Sequence, residues 1–188
     1  MKTSSTGIEL IKKYEGCKLL AYKLPGEKYH TIGYGHNGQD VEAGQVITHE
    51  RAEELLKHDL ARFEKAVDKT GLDLTQKSFD ALVSFAYNCG AGNLSRLCKN
   101  RTQWEIAAKM LTYNRANGKV LSGLTRRRKD EAGLFRSGIK SDHEIALEVL
   151  DDLWGGGVTR KNRLTAAGYS YGNVQKEVNR ILSDANNT

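Results

Sequence analysis

The chain has 188 residues, 39% of them apolar and 28% charged, with 29 Lys+Arg against 23 Asp+Glu for a net charge of +6. That balance suits a soluble protein of one medium domain with room for a small appendage, and it excludes collagen-like, disordered and disulfide-scaffold classes. No apolar run approaches the roughly 20 residues of a membrane span, and Met1 to Gly7 contain no apolar signal core, so no secretory signal is expected.

Cys17, Cys89 and Cys98 are odd in number and lack CxxC spacing, which points to reduced thiols in a cytosolic setting. The histidines are scattered without metal-ligand spacing, so no metal is expected, and no cofactor motif is present.

Thr6-Gly7-Ile8-Glu9 reads as a capping box that opens a first helix, ending near Gly16. Ala21-Tyr22-Lys23 and Tyr29 to His36 flank a Leu24-Pro25-Gly26-Glu27 turn, which predicts two short strands and room for a third, the one β region of the chain. Ala52, Leu55, Leu56, Leu60, Phe63 and Val67 then follow helical spacing behind Thr48, a candidate N-cap. Phe79, Leu82, Val83, Ala86 and Tyr87 stripe a second long helix between Thr75 and Gly90. Further stripes run through Trp104, Ala107, Ala108 and Leu111, and from Leu124 to Phe135. The plan is a small sheet inserted early into a mostly helical α+β domain.

A polar stretch from Arg136 to Asp142 reads as a linker. The charge changes across it, from 24 Lys+Arg against 16 Asp+Glu in residues 1–140 to 5 against 7 in residues 141–188. Beyond it, Ile145, Val149 and Leu153 with Trp154 mark a helix that Gly155-Gly156-Gly157 breaks. Thr159 to Ala167 make a second, closed by Gly168, and Val174, Val178, Ile181 and Leu182 stripe a third. A three-helix module of about 45 residues has a thin core and is marginal alone, so self-association through it is expected.

Glu15 falls at the end of the first helix, where the negative end of the macrodipole and apolar neighbours both disfavour an ionised carboxylate. A carboxyl kept protonated near neutral pH suits a general acid. Taken alone, a glutamate so placed is more often a solvated surface residue.

Lys13-Tyr14-Glu15-Gly16, Ala21-Tyr22 and Thr31-Ile32-Gly33-Tyr34-Gly35-His36 resemble the signature of phage-type muramidases, glycoside hydrolase family 24. Asn88-Cys89-Gly90 and Gly123-Leu124-Thr125-Arg126-Arg127-Arg128, with Glu131 and Leu134-Phe135, continue the likeness to about residue 138. The resemblance implies a lysozyme-like fold with Glu15 as general acid, Thr31 holding a water or sugar hydroxyl across the cleft, and Arg127 as the partner of the glutamate. Arg126 and Arg128 read as a solvated or wall-facing basic stretch, and His36 as a structural residue of the sheet. The family commonly carries Asp or Cys nine residues after the glutamate, where this chain has Leu24. Three accounts stay open: Glu27 supplies the second carboxylate, Thr31 positions water with electrostatic help alone, or the reaction dispenses with water as in lytic transglycosylases.

Leu153-Trp154-Gly155-Gly156-Gly157, Arg160-Lys161-Asn162-Arg163-Leu164 and Ala166-Ala167-Gly168-Tyr169 resemble the CW_7 repeat, a peptidoglycan-binding module of phage lysins. The likeness implies substrate contacts from Trp154 and Tyr169, whose rings suit a sugar face, and from Arg160 and Arg163, which suit carboxylates. Trp154 reads equally as a plug for the thin core, and Tyr169 can do likewise. Two acidic positions common in such repeats are Thr159 and Ser170 here.

The expectation is an α+β lysozyme-like domain in residues 1–138, followed by a linker and an all-α three-helix wall-binding module in residues 139–188. The implied activity is hydrolysis of the β-1,4 bond between MurNAc and GlcNAc, with peptidoglycan as partner and without nucleic acid or membrane, since no nucleic-acid motif accompanies the positive charge. Such a chain would stay in the host cytoplasm until a holin released it to the wall. The rival readings are a lytic transglycosylase on the same bond and a wall-binding protein whose catalytic domain has decayed.

Overall fold

The computed structural model describes residues 1–186. Helix α1 (Ser5–Glu15) buries Ile8 and Ile11 and ends at Gly16, whose φ of +67° is the left-handed turn that favours glycine. The expected capping box does not form. Ser4 is the N-cap, its backbone N–H and hydroxyl both donate to the Asp80 carboxylate, and Glu9 pairs with Lys12 instead. A buried tertiary acceptor has displaced the local one.

Strands β1 (Lys18–Tyr22), β2 (His30–Gly33) and β3 (His36–Gly38) form the expected antiparallel sheet in the order β1-β2-β3. Helix α2 (His49–Asp68) starts at Thr48, whose hydroxyl accepts from the Arg51 N–H, and lies under the sheet. A Cβ on Gly33 would stand 3.2 Å from that of Ala52, so the strand approaches the helix as closely as it does because the residue is glycine. Helix α3 (Gln76–Cys89) runs through the centre of the domain, with Phe79, Leu82, Val83, Phe85 and Ala86 wholly buried. Helices α1 and α2, and the later helix over Ser122–Arg136, pack around it.

Three elements differ from the sequence expectation. Helix α4 (Ala91–Cys98) forms where Ala91-Gly92-Asn93 gives no apolar period. Helix α5 (Gln103–Met110) buries Gln103, Ile106, Ala107 and Met110, so of the expected stripe only Ala107 is fully buried and Trp104 is 55% exposed. A second hairpin, β4 (Arg115–Ala116) and β5 (Lys119–Val120), turns on Asn117 and Gly118 at φ of +50° and +75°. Asn-Gly is the strongest short hairpin signal, and it was present in the chain.

Helix α6 (Ser122–Arg136) closes the first core. Helices α7 (Asp142–Leu150), α8 (Gly157–Ala166) and α9 (Tyr171–Asn186) enclose a second, built from Ile145, Val149, Leu164, Val174 and Val178. Helix α7 stops short of Leu153, which is 60% exposed, and Gly157 opens α8 instead of only breaking the chain.

A seam of hydrogen bonds joins the two cores. The Asp73 N–H donates to Ala167 O (3.2 Å) and the Gln103 N–H to Gly168 O (2.8 Å). The buried Gln103 amide spans Asp73 O (2.8 Å) and Ala167 O (3.1 Å), and Lys140 bridges Asp73 (3.1 Å) and Glu148 (2.9 Å). These contacts explain why Gln103 is an inward residue of α5: its side-chain amide has two backbone partners that no helical period reveals.

Candidate active site

Glu15 is the last residue of α1, and its carboxylate accepts from Arg127 Nη1 at 2.6 Å. Arg127 is buried on α6 and held along its other edges. Nε donates to Glu131 at 3.0 Å and Nη2 to the Ser84 carbonyl at 3.2 Å, while the guanidinium lies 5.5 Å from the Tyr14 ring centre. The Ser84 hydroxyl donates to the same Glu131 oxygen at 2.7 Å. The glutamate at the helix end therefore faces the guanidinium that the resemblance implied, held in place by α3 and α6.

Arg128 corrects an expectation. It is 0% exposed, as is Glu131, and it reaches the Asn88 side chain at 2.8 Å and the Cys89 sulfur, with Nε 3.0 Å from Glu131. Successive helical residues point about 100° apart, so three arginines in a row cannot all face solvent on a packed helix. Arg126 alone of the three is exposed. Two buried guanidiniums need a buried anion, and Glu131 supplies it.

The cleft beside Glu15, of about 850 Å³, is lined by Tyr14, Asn88, Arg127, Leu121 and the first turn of α6, including Leu124. The Tyr14 hydroxyl donates to Asp130 at 2.5 Å, and burial followed by that hydrogen bond pushes its pKa up to about 12, which keeps the phenol neutral.

Thr31 and Glu27 are not among the residues that line this cleft. Thr31 is buried in β2, and its hydroxyl oxygen accepts from the Asn37 amide at 2.9 Å across the β2–β3 pair. The Glu27 carboxylate accepts from the Leu24 N–H at 3.1 Å and so closes the turn, while Leu24 itself is 55% exposed. His36 bridges the sheet to α2, with Nδ1 2.8 Å from Asp59 and Nε2 3.0 Å from Asp40. Burial works to lower its pKa, but the two carboxylates outweigh it and the net shift is upward.

In the C-terminal module Trp154 is half buried. Its indole N–H donates to Glu148 at 2.9 Å, and its ring meets Tyr169 edge-on at 5.9 Å. Arg163 lines the same shallow depression as Trp154, together with Lys140 and Leu153. Arg160 turns elsewhere, donating to Gly155 O at 2.8 Å. Tyr169 corrects another expectation: it is 6% exposed and its hydroxyl donates to Asp73 at 3.0 Å, so it joins the two cores and has no free face for a sugar.

Sequence reasoning missed Ser84, and it placed Glu131 within the motif without giving it a role. Glu131 stands four residues after Arg127 and three after Arg128, a spacing that pairs charges on a helix and was there to be read. Ser84 carries no sequence signal. Among the described residues, no group of three or more His, Cys, Asp or Glu side chains could hold a metal ion.

Residues 12–131, more than half of the chain, match the phage lysozyme family model. The chain belongs to the phage lysozyme family. Residues 143–182 match the CW_7 repeat. The chain is similar to the endolysin of Bacillus phage B103, 50% identical over 145 residues that make up 73% of this chain and 55% of that one. The endolysin of Bacillus phage PZA is 47% identical over 146 residues, 73% of this chain and 56% of the relative. The chain thus spans about half the length of these curated relatives. Among solved structures, the muramidase domain of SpmX from Asticaccaulis excentricus superposes with a TM-score of 0.63 at 39% identity, covering 71% of this chain and 97% of that one. The lysozyme-like α+β fold and the helical C-terminal module agree with the reading of the sequence.

Proposed function

We propose that this chain is an endolysin that hydrolyses the β-1,4 bond between MurNAc and GlcNAc in peptidoglycan, with Glu15 as the general acid. The observation that carries the reading is the 2.6 Å contact between Glu15 and Arg127 on the wall of the cleft. Once Glu15 has handed its proton to the glycosidic oxygen it becomes a carboxylate, and a guanidinium already fixed beside it stabilises that product without reorganisation. Positive charge develops at the anomeric carbon as the bond breaks. The Thr31 oxygen already accepts from Asn37, so its own proton is left to hold a water or a sugar hydroxyl. Glu27 has the turn N–H as its partner and takes no step in this scheme.

Residues 1–138 carry the chemistry and residues 139–188 retain the enzyme on the wall. Retention raises the local concentration of the catalytic domain at an insoluble substrate. Trp154 and Arg163 share one depression and form the centre of the wall contact, with Arg160 beside them. Leu147, Leu153 and Val158 are exposed on the same module and offer an apolar surface for self-association. Before lysis the enzyme waits in the host cytoplasm, and a holin gives it access to the wall.

Clearance of purified walls by the Glu15→Gln variant tests the acid. Turnover should fall to background while the variant keeps its fold, and unchanged clearance would remove Glu15 from the mechanism. Mass spectrometry of the products tests the reaction: reducing MurNAc ends support hydrolysis, and 1,6-anhydro-MurNAc would make the enzyme a lytic transglycosylase.

A further inference from the structure

Between the two modules runs a second groove, of about 1160 Å³, away from the Glu15 cleft. One wall comes from the C-terminal ends of α2 and α4 and the start of α5, the other from Thr165 and Ala166 of α8. Arg62, Lys65, Lys69, Lys99 and Arg101 line it against the single acid Glu105, whose carboxylate is already taken by the Thr102 N–H (2.7 Å) and hydroxyl (2.9 Å). Among the described residues, Lys65, Lys69 and Lys99 form no ion pair. The seam through Asp73, Gln103 and Gly168 fixes the walls relative to each other, so the groove is preformed.

We propose that this groove binds a phosphodiester-linked anionic polymer of the bacterial wall, one strand lying between the modules. The inference rests on the peptidoglycan reading, because the strand must belong to the same wall as the glycan. The kind of charge on offer selects the ligand. Arg101 spends Nη1 on the carbonyls of Arg96 (2.8 Å) and Leu97 (3.0 Å), and the Arg62 guanidinium lies 4.7 Å over the Phe63 ring. Stacking leaves the Arg62 N–H groups free, and the Nε and Nη2 edge of Arg101 is open as well; such forks take phosphate oxygens as readily as carboxylates. Beside them stand three ammonium groups, point charges that suit tetrahedral phosphates in any orientation.

Lys65 and Lys69 stand one helical turn apart, about 6 Å along the axis, so they present a repeated charge. Leu72 and Ala66 give the groove an apolar floor for the carbon units between phosphates. The groove adjoins the Trp154 depression across Leu72 and Ala166, so one wall fragment can occupy both. These lysines also lie at helix C-termini, where a cation offsets partial negative charge. That purely structural role would show as lost stability rather than lost binding.

Co-sedimentation of the full chain with purified walls tests the proposal, before and after dilute hydrofluoric acid has cleaved the phosphodiesters. The wild type should bind stripped walls about tenfold more weakly, the effect of losing a few modest charge contacts. A variant carrying Lys65→Glu, Lys69→Glu and Lys99→Glu together should bind intact walls no better than the wild type binds stripped ones. It should cleave stripped walls at the wild-type rate; the corresponding triple glutamine variant, which adds no anion at a helix C-terminus, should shift binding in the same direction and melt close to the wild-type temperature. Equal binding of wild type to both wall preparations, or of variant and wild type to intact walls, would overturn it. So would a variant that melts early and loses cleavage, and so would duplex DNA that competes as well as the released polymer. Glu15→Gln separates the two readings: it should lose cleavage and keep the phosphodiester-dependent binding.

Discussion

Arg127 reaches Glu15 across 112 residues of sequence and holds it at 2.6 Å. The arginine is itself pinned by Glu131 at 3.0 Å, so a group with no route to substrate sets the geometry of Glu15, the proposed acid. Arg127→Lys keeps the charge but loses the fork that binds Glu15, Glu131 and the Ser84 carbonyl together. The expected result is a fall of about 100-fold in kcat with little change in wall binding, measured by clearance and co-sedimentation.

Replacing Glu131 by Leu leaves Arg127 and Arg128 buried without their shared anion. Loss of one partner of a buried pair costs about 3–5 kcal/mol, so denaturant unfolding should shift well below the wild type. A variant of wild-type stability would show that Ser84, Asn88 and Glu15 suffice for the two guanidiniums.

His36 gives the fold a pH dependence of predictable sign. Its folded pKa lies above the ordinary 6.5, so its pairing with Asp59 and Asp40 contributes fully below that value and is lost as pH rises through the folded value. Asp40 acts in the opposite sense. Its hydrogen bond to His36 lowers its pKa below 3.8, so its share is present above that value and fades in acid. Melting temperature followed from pH 5 to 9 should decline on the alkaline side, and His36→Gln should flatten that decline.

Gly168→Ala tests the seam. The residue has a φ of +86°, and a Cβ there would stand 2.8 Å from Leu72 and 3.0 Å from Gln103. The substitution should separate the modules, splitting a single calorimetric transition into two, while cleavage of soluble glycan fragments persists. One sharp transition at the wild-type temperature would show that the seam does not couple the cores.

Truncation after residue 140 should leave bond cleavage intact and weaken lysis of whole cells. It will also strand Asp73 and Gln103, whose partners Ala167, Gly168 and Tyr169 leave with the module. The truncated chain is therefore expected to melt earlier than the full one, and lysis compared at 15 °C separates lost retention from lost stability.

Much of this was legible in the chain. Thr48 and Thr75 cap the helices they were expected to cap, the early sheet lies where Pro25 and Gly26 predict a turn, and Glu15 ends the first helix. The exposed Arg126 could not be told from the buried Arg128 by composition, because the burial of a cation depends on whether an anion meets it. Tyr169 misled for a related reason, since an aromatic ring that suits a sugar also suits a neighbouring domain.

What the sequence determined by itself is the order of most elements and the caps at Thr48 and Thr75, set by residues within about four positions of one another, the reach of a helical hydrogen bond. Only the tertiary structure decided how Glu131 and the Ser84 carbonyl pin Arg127 beside Glu15, that Gln103 faces inward, and that two modules enclose a basic groove. Those outcomes join residues such as Glu15 and Arg127, or Gln103 and Ala167, that are remote in the chain. Their energy is realised only when packing brings the partners together and removes the water between them.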